Sequence, residues 1–156
     1  YIVGAYLKII EECDFIDYNV RPPGGGLKGL NELDVVGLDF KNETAYLCEV
    51  TTHIRGVLYK DNKTTIEKIK KKYMRQKEYA NKYLQGFLKR HFMFWSPVVP
   101  KGYITKELEK IDGLELVINK KYAQCIDELR IKAKELTNDV GNPFFRMLQI
   151  LEHLRR

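Results

Sequence analysis

Two strand-like runs joined by a short polar turn constrain the fold of this chain more than any other feature. The runs cover residues 32–40 and 44–52, and both are rich in β-branched and apolar side chains. Asn suits the left-handed backbone of a tight hairpin, so a two-residue turn containing Asn42 is predicted. That register places Asp34 directly opposite Glu49. The sequence therefore predicts a β-hairpin with two facing carboxylates near its open end.

Helical and strand-like patterns alternate through the rest of the chain. Apolar side chains recur at helical spacing over residues 1–13, and aromatic and β-branched types over residues 14–20 favour a strand. Prolines and glycines make residues 21–31 a loop. The later predicted elements are helices over 64–90, 104–111 and 122–137, strands over 91–99 and 114–119, and a final helix after Pro143. This order predicts an α/β domain with a mixed sheet, because the hairpin is antiparallel and the long helix leads to a parallel strand.

Length and composition predict one soluble globular domain. The chain has 156 residues, of which 44% are hydrophobic and 31% are charged. No run approaches the roughly 20 apolar residues of a membrane span, and the first residues do not resemble a signal peptide. Three widely spaced cysteines, Cys13, Cys48 and Cys125, indicate reduced core residues rather than disulfides or a zinc site. We therefore expect a single cytoplasmic domain over residues 1–156 that does not contact a membrane.

The net charge of +6 favours an acidic partner such as nucleic acid, because Lys and Arg bind polyphosphates by releasing condensed counterions. Many basic proteins bind no acidic partner, so charge alone leaves this question open. The lysines of the long predicted helix have a solvated surface as their ordinary explanation and phosphate contact as the alternative. The candidate nucleic-acid-binding residues are Arg21, Lys28, Lys68, Lys72 and Arg75.

The facing carboxylates of the hairpin form the candidate site. Apolar side chains are predicted to share their face, so the pair would lie at the end of a covered surface. Opposed carboxylates repel each other, and burial raises their pKa values further, unless a cation neutralises both. Mg²⁺ binds oxygen ligands and often joins one or two carboxylates to a substrate phosphate. Asp34 and Glu49 are therefore predicted metal ligands; alternatively, both are solvated or paired with lysines.

The run Glu-Leu-Asp-Val-Val-Gly at 32–37 and the run Cys-Glu-Val-Thr at 48–51 resemble the active-site strands of the PD-(D/E)XK nuclease superfamily, as in Holliday-junction resolvases and restriction endonucleases. The resemblance covers about residues 1–99. It implies a restriction-endonuclease-like mixed central sheet flanked by helices, to which residues 100–156 add a C-terminal strand and extra helices. It also implies a Mg²⁺- or Mn²⁺-dependent endonuclease that hydrolyses DNA phosphodiester bonds.

In this resemblance Asp34 and Glu49 match the two acids of the motif, and Thr51 occupies the position of its lysine. The family's lysine is thought to orient the attacking water and to stabilise charge on the phosphorus centre. A threonine hydroxyl forms hydrogen bonds but supplies no positive charge. Lys72 and Gln76, on neighbouring turns of the long helix, are the candidate replacements. The alternative is a catalytically inactive nucleic-acid-binding module on the same fold.

Several further residues have both a functional and a structural interpretation. Gln76 and Tyr79 resemble the Gln-and-Tyr signature of RecB-like nucleases, or Gln76 simply bonds the backbone at the core edge. Glu11 or Glu12 could supply the additional acid that the family often takes from its first helix, or both face solvent. His53 could approach the phosphate or cap a strand. The apolar pattern after Gly102 indicates packing or a homodimer surface.

Overall fold

The structure, a computed structural model, describes residues 1–23 and 32–155. Within these residues the helices are α1 (Ile2–Ile9), α2 (Asn62–Tyr83), α3 (Tyr103–Glu109), α4 (Asn119–Glu135) and α5 (Pro143–Leu154). The strands are β1 (Phe15–Val20), β2 (Leu33–Asp39), β3 (Thr44–Val50), β4 (Lys89–Ser96) and β5 (Leu114–Ile118). The fold class is α/β, as the sequence predicted.

The five strands form one mixed sheet in the order β1-β2-β3-β4-β5. The first three strands are antiparallel neighbours, and β4 and β5 run parallel to β3. α2 connects β3 to β4, because two parallel neighbours need a crossover rather than a tight turn. Val36 pairs with Leu47, which confirms the predicted hairpin register. Continuing that register places Asp34 opposite Glu49.

The turn of the hairpin is longer than predicted. Residues 40–43 connect β2 to β3, so the prediction of a two-residue turn is wrong. The left-handed residue is Glu43, with a φ of 50°, rather than Asn42. Asn42 instead donates two hydrogen bonds to the Asp39 carboxylate, at 3.0 Å from the backbone nitrogen and 2.6 Å from Nδ2. These bonds close a wider loop without altering the register.

The predicted helix over residues 64–90 is wrong at its C-terminal end. α2 is capped at Leu84, and β4 already begins at Lys89. Gly86 lies in the connection, where its high conformational entropy disfavours helix. Phe87 lies beyond the helix but packs in the same apolar cluster as Leu84. The apolar spacing therefore continued past the point where the backbone leaves the helix.

The first helix is also shorter than the predicted 1–13. α1 ends at Ile9, and Glu12 adopts a left-handed φ of 55°. The Lys8 ammonium donates to the backbone oxygens of Cys13 and Asp14, each at 3.3 Å, so it covers the turn into β1.

Helices cover both faces of the sheet. α2 and α3 pack on one face, where Leu47 shares a cluster with Ala80 of α2 and Phe94 shares one with Leu108 of α3. α1 and α4 cover the other face around the buried Trp95, and α5 packs against α4. All three cysteines are buried. Within residues 1–23 and 32–155, no helix has the length and apolar character needed to cross a membrane.

Candidate functional site

The candidate site lies at the end of the hairpin away from its turn, on the sheet face that α2 covers. Asp34 is the second residue of β2, Glu49 is the penultimate residue of β3, and Lys72 projects from α2. Lys72 Nζ lies 2.6 Å from Glu49 Oε2 and 3.7 Å from Asp34 Oδ2. The structure therefore brings together three residues that the sequence predicted to act together.

Asp34 is held by the neighbouring strand as well as by Lys72. Its Oδ2 accepts a hydrogen bond from the backbone nitrogen of Val50 at 2.7 Å. Val50 is the last residue of β3, so this bond replaces a strand-to-strand backbone contact at the open end of the hairpin. The Asp34 side chain is partly exposed, which leaves one side of the pair accessible.

Glu49 is the buried member of the pair, with 2% of its surface exposed. Its Oε1 is buried and has no hydrogen-bond partner among the described residues. Burial is the largest influence on its pKa and raises it to about 7; Lys72 opposes this change, and the nearby Asp34 adds to it. One ammonium therefore does not fully stabilise the ionised form of Glu49.

Lys72 remains a cation at this position. Burial lowers the pKa of Lys72, but Glu49 and Asp34 raise it more, so its pKa lies above the ordinary value. Two ionised carboxylates beside one ammonium leave one negative charge uncompensated. An additional cation that binds oxygen atoms suits such a site.

A divalent cation fits the donor atoms present. Both acids offer carboxylate oxygens, and the unpartnered Glu49 Oε1 is a free acceptor in a buried place. The described residues contain no group of three or more His, Cys, Asp or Glu side chains that could hold a metal ion. A cation would therefore depend on Asp34 and Glu49 together with backbone and water oxygens, as Mg²⁺ commonly does.

Thr51 follows the buried end of β3 and keeps its side chain inside the protein. Its backbone nitrogen donates to Trp95 O at 2.9 Å, and its Oγ1 lies 2.7 Å from His53 Nδ1. Thr51 thus extends the line of β3 beyond Glu49 and holds the exposed His53 ring. The positive charge absent at Thr51 is present nearby on Lys72.

Gln76 has the backbone-bonded position that was its alternative interpretation. Its Nε2 donates to Leu47 O and Met93 O, each at 2.9 Å, and the side chain is fully buried. It therefore links α2 to the adjacent strands β3 and β4. Gln76 Oε1 has no partner among the described residues, but the amide nitrogen is already used. Tyr79 lies on the next turn and packs against the apolar cluster that contains Leu47 and Ala80.

The first-helix acids do not join the site. Glu11 Oε2 accepts a hydrogen bond from the Tyr46 hydroxyl at 3.0 Å, on the sheet face opposite α2. Burial is the largest cause of a raised pKa for Tyr46. Glu12 is exposed in the turn after α1. No first-helix acid therefore accompanies Asp34 within the described residues.

The predicted nucleic-acid-binding residues occupy different surroundings. Arg21 donates twice to Glu32 Oε2, from Nε and from a guanidinium nitrogen at 3.2 Å, so its charge is paired. Lys28 lies outside the described residues. Lys68 is exposed and holds its Nζ 4.4 Å from the centroid of the Tyr59 ring. Arg75 lines a groove on α2 together with Tyr79. Lys82 and Tyr83 also line it; the sequence analysis did not select these two, although their helical spacing from Arg75 and Tyr79 could have revealed them.

Comparison of the sequence with protein-family models finds no matching family. Comparison with curated proteins and with solved structures finds no match to either.

Proposed function

We propose that this protein is a metal-dependent endonuclease that hydrolyses DNA phosphodiester bonds on a PD-(D/E)XK-like core. The observation that carries the proposal is the buried Glu49, which has one unpartnered oxygen and lies beside Asp34 and Lys72. Buried, incompletely neutralised carboxylates with shifted pKa values are typical of functional sites. A carboxylate with a purely structural role would gain little stability from burial without full neutralisation of its charge.

The order of the elements supports the same proposal. The chain runs helix, three antiparallel strands, helix and parallel strand, from α1 to β4. The resemblance noted in the sequence implies a helix before the active-site strands, which are β2 and β3 here. The acids lie on these two strands, and the following helix supplies the lysine. On this proposal the sheet is restriction-endonuclease-like, and α3 to α5 with β5 are additions to it.

The residues of the candidate site have distinct roles in the proposed reaction. Asp34 and Glu49 would hold a divalent cation, which when bound supplies Lewis acidity toward a phosphate oxygen and toward the attacking water. Lys72 would contribute the positive charge that Thr51 lacks and stabilise the negative charge that develops at phosphorus. Thr51 orients His53, whose ring is available to move a proton at the leaving oxygen. Gln76 would act by fixing β3 against β4 rather than by touching the substrate.

A second candidate function is a catalytically inactive nucleic-acid-binding module. Thr51 at the lysine position of the motif favours it, and so does the short contact between Lys72 and Glu49, because that ion pair also satisfies a purely structural role. This candidate predicts salt-dependent nucleic-acid binding without metal-dependent cleavage.

Cleavage of plasmid and short labelled DNA with Mg²⁺ or Mn²⁺ tests the proposal. We expect cutting that stops in EDTA, is lost in Asp34→Asn and persists in Glu67→Gln, which removes a carboxylate from an exposed position on α2. Circular dichroism confirms that each variant is folded. A folded wild type that binds DNA but does not cut it with either metal would overturn the nuclease proposal in favour of the binding module.

A further inference from the structure

A groove runs along one side of α2 next to the carboxylate site. It has a volume of about 210 Å³ and is lined by Pro22, Leu33, Arg75, Glu78, Tyr79, Lys82 and Tyr83. Leu33 directly precedes Asp34 in β2, so one wall of the groove adjoins the site. The other wall is the flank of α2 that continues from Lys72.

The side chains on this flank follow helical spacing. Lys72, Arg75, Tyr79 and Lys82 are separated by three, four and three positions, so they lie on one side of the helix. Tyr83 follows Tyr79 by one turn. From Lys72 to Tyr83 the helix advances about 16 Å. Cationic and aromatic side chains therefore share one side of α2, along a path that starts at the candidate site.

The two tyrosines present their rings to the groove as a pair. Their centroids are 4.9 Å apart, and their planes are inclined by 49°. Both side chains are half-buried, so the rings are held while part of each ring stays accessible. Lys82 Nζ lies 5.2 Å from the centroid of the Tyr83 ring. Aromatic rings beside cations are the features with which proteins stack nucleobases.

The charge around the groove is mainly positive. Arg75 and Lys82 line it, and Lys68 lies on the same side of α2 toward the N-terminus of the helix. Glu78 is the acidic residue of the lining, and it is exposed. A polyanion is therefore the complementary partner, whereas an acidic groove would exclude it.

We propose that this groove binds single-stranded nucleic acid, with bases stacked on Tyr79 and Tyr83 and phosphates near Arg75 and Lys82. That this strand is the substrate of the carboxylate site rests on the proposed nuclease function. The groove is smaller than the roughly 300–1,000 Å³ of small-molecule pockets, which suits a stacked base better than a larger ligand. In a duplex the bases are already stacked on one another, so only an unpaired strand can use these rings.

Fluorescence anisotropy tests the proposal with fluorescein-labelled oligothymidylate and a duplex of equal length, both in EDTA. We expect the single strand to bind more tightly than the duplex. Tyr83→Ala should weaken single-strand binding about tenfold, and Tyr83→Phe should retain most of it, because stacking needs only the ring. Lys82→Ala, which removes an exposed side chain, should weaken binding and reduce its dependence on salt.

Lys70→Ala is the matched control, because it removes the same charge from an exposed position on another side of α2. Equal binding of single strand and duplex would overturn the proposal. So would Tyr83→Ala and Lys82→Ala variants that bind like the Lys70→Ala protein. Because binding is measured in EDTA, its outcome is separate from cleavage. If the groove binds single strands but the protein cuts no DNA, only the nuclease function is refuted. If the protein cuts DNA but the groove variants bind single strands like the control, only this inference is refuted.

Discussion

Glu49 and Glu152 are both buried glutamates with 2% of their surface exposed, yet their surroundings have opposite effects. Three cations surround Glu152: its Oε1 lies 2.8 Å from Arg130 and 2.9 Å from Arg155, and its Oε2 lies 3.6 Å from Lys134. The hydrogen bond from Arg130 is the largest cause of a lowered pKa for Glu152. Glu49 has one ammonium and a raised pKa.

The difference separates a structural carboxylate from a candidate functional one. Glu152 joins α4 to α5 and has more positive charge around it than is required to neutralise its carboxylate. Glu49 has an unpartnered oxygen and a second carboxylate beside it, so it lacks the positive charge that its burial requires. Retaining such an arrangement costs stability, which is the usual consequence of placing reactive groups in a fold. Each of the following predictions tests this contrast.

The largest expected effect is on cleavage. Glu49→Gln removes one cation ligand and should reduce the initial rate of DNA cleavage about 10³-fold, an effect at the upper end for loss of one stabilising group. Glu152→Gln should leave the rate per folded molecule unchanged, because Glu152 lies near the C-terminal end of α5 and its carboxylate is paired with Arg130, Lys134 and Arg155 rather than with a group of the site. Initial rates on labelled DNA in Mg²⁺ measure both. Equal losses in the rate per folded molecule would show that the effect of Glu49→Gln is not specific to the candidate site.

Removing the cation partner of Glu49 should have the next largest effect. Lys72→Met should lower kcat about 100-fold with a smaller change in KM, because the ammonium is expected to stabilise the transition state rather than to bind the ground state. Lys71→Met is the matched control, since it removes the same charge from the exposed neighbouring position. An unchanged kcat in Lys72→Met would eliminate Lys72 as the replacement for the motif's lysine.

The pH dependence of stability should reveal the incomplete neutralisation of Glu49. Its pKa is about 7 in the folded state and ordinarily 4.5, so between these pH values the folded state binds more protons than the unfolded state. Stability should therefore fall as pH rises through this window, by on the order of 3 kcal/mol at most. Denaturant unfolding of wild type and Glu49→Gln at pH 4.5, 6 and 7.5 measures the difference.

The same experiment extends to metal ions. Millimolar Mg²⁺ at pH 7.5 should raise the midpoint of wild-type unfolding and leave that of Glu49→Gln unchanged, because a ligand stabilises only the state that binds it. A wild-type pH profile that runs parallel to that of Glu49→Gln would contradict the raised pKa. An equal Mg²⁺ effect on both proteins would show that the ion binds elsewhere.

The sequence predicted Glu49's surroundings but not those of Glu152. The hairpin register follows from local alternation, so Asp34 and Glu49 could be placed opposite each other from sequence. Lys72 could be selected because it lies beside the inward stripe of a long amphipathic helix. Two of the three partners of Glu152, Arg130 and Lys134, come from α4, and no local pattern specifies how α5 packs on it.

The boundary errors have the same physical origin. Phe87 keeps the spacing of the helix stripe although it lies after the end of α2, because tertiary packing and not the helix places it in the cluster of Leu84. The hairpin turn is wider than the favoured two-residue turn because the Asp39 carboxylate accepts hydrogen bonds from the backbone nitrogen and the side chain of Asn42. Periodicity locates elements, whereas side-chain bonds and packing decide where they end.

The smallest expected effect is the loss of stability in Glu152→Gln. The partner side chains Arg130, Lys134 and Arg155 are 39%, 53% and 61% exposed, so water can solvate their charges once the carboxylate is removed. The variant should unfold at a modestly lower temperature, and the difference should shrink in high salt.

Because the pKa of Glu152 is lowered, its contribution to stability should disappear as pH falls below 4.5. This pH dependence is opposite in direction to that of Glu49. Thermal unfolding at two salt concentrations and at pH 3 to 6 measures this. A Glu152→Gln protein that is more stable than wild type would remove the contrast between the two carboxylates.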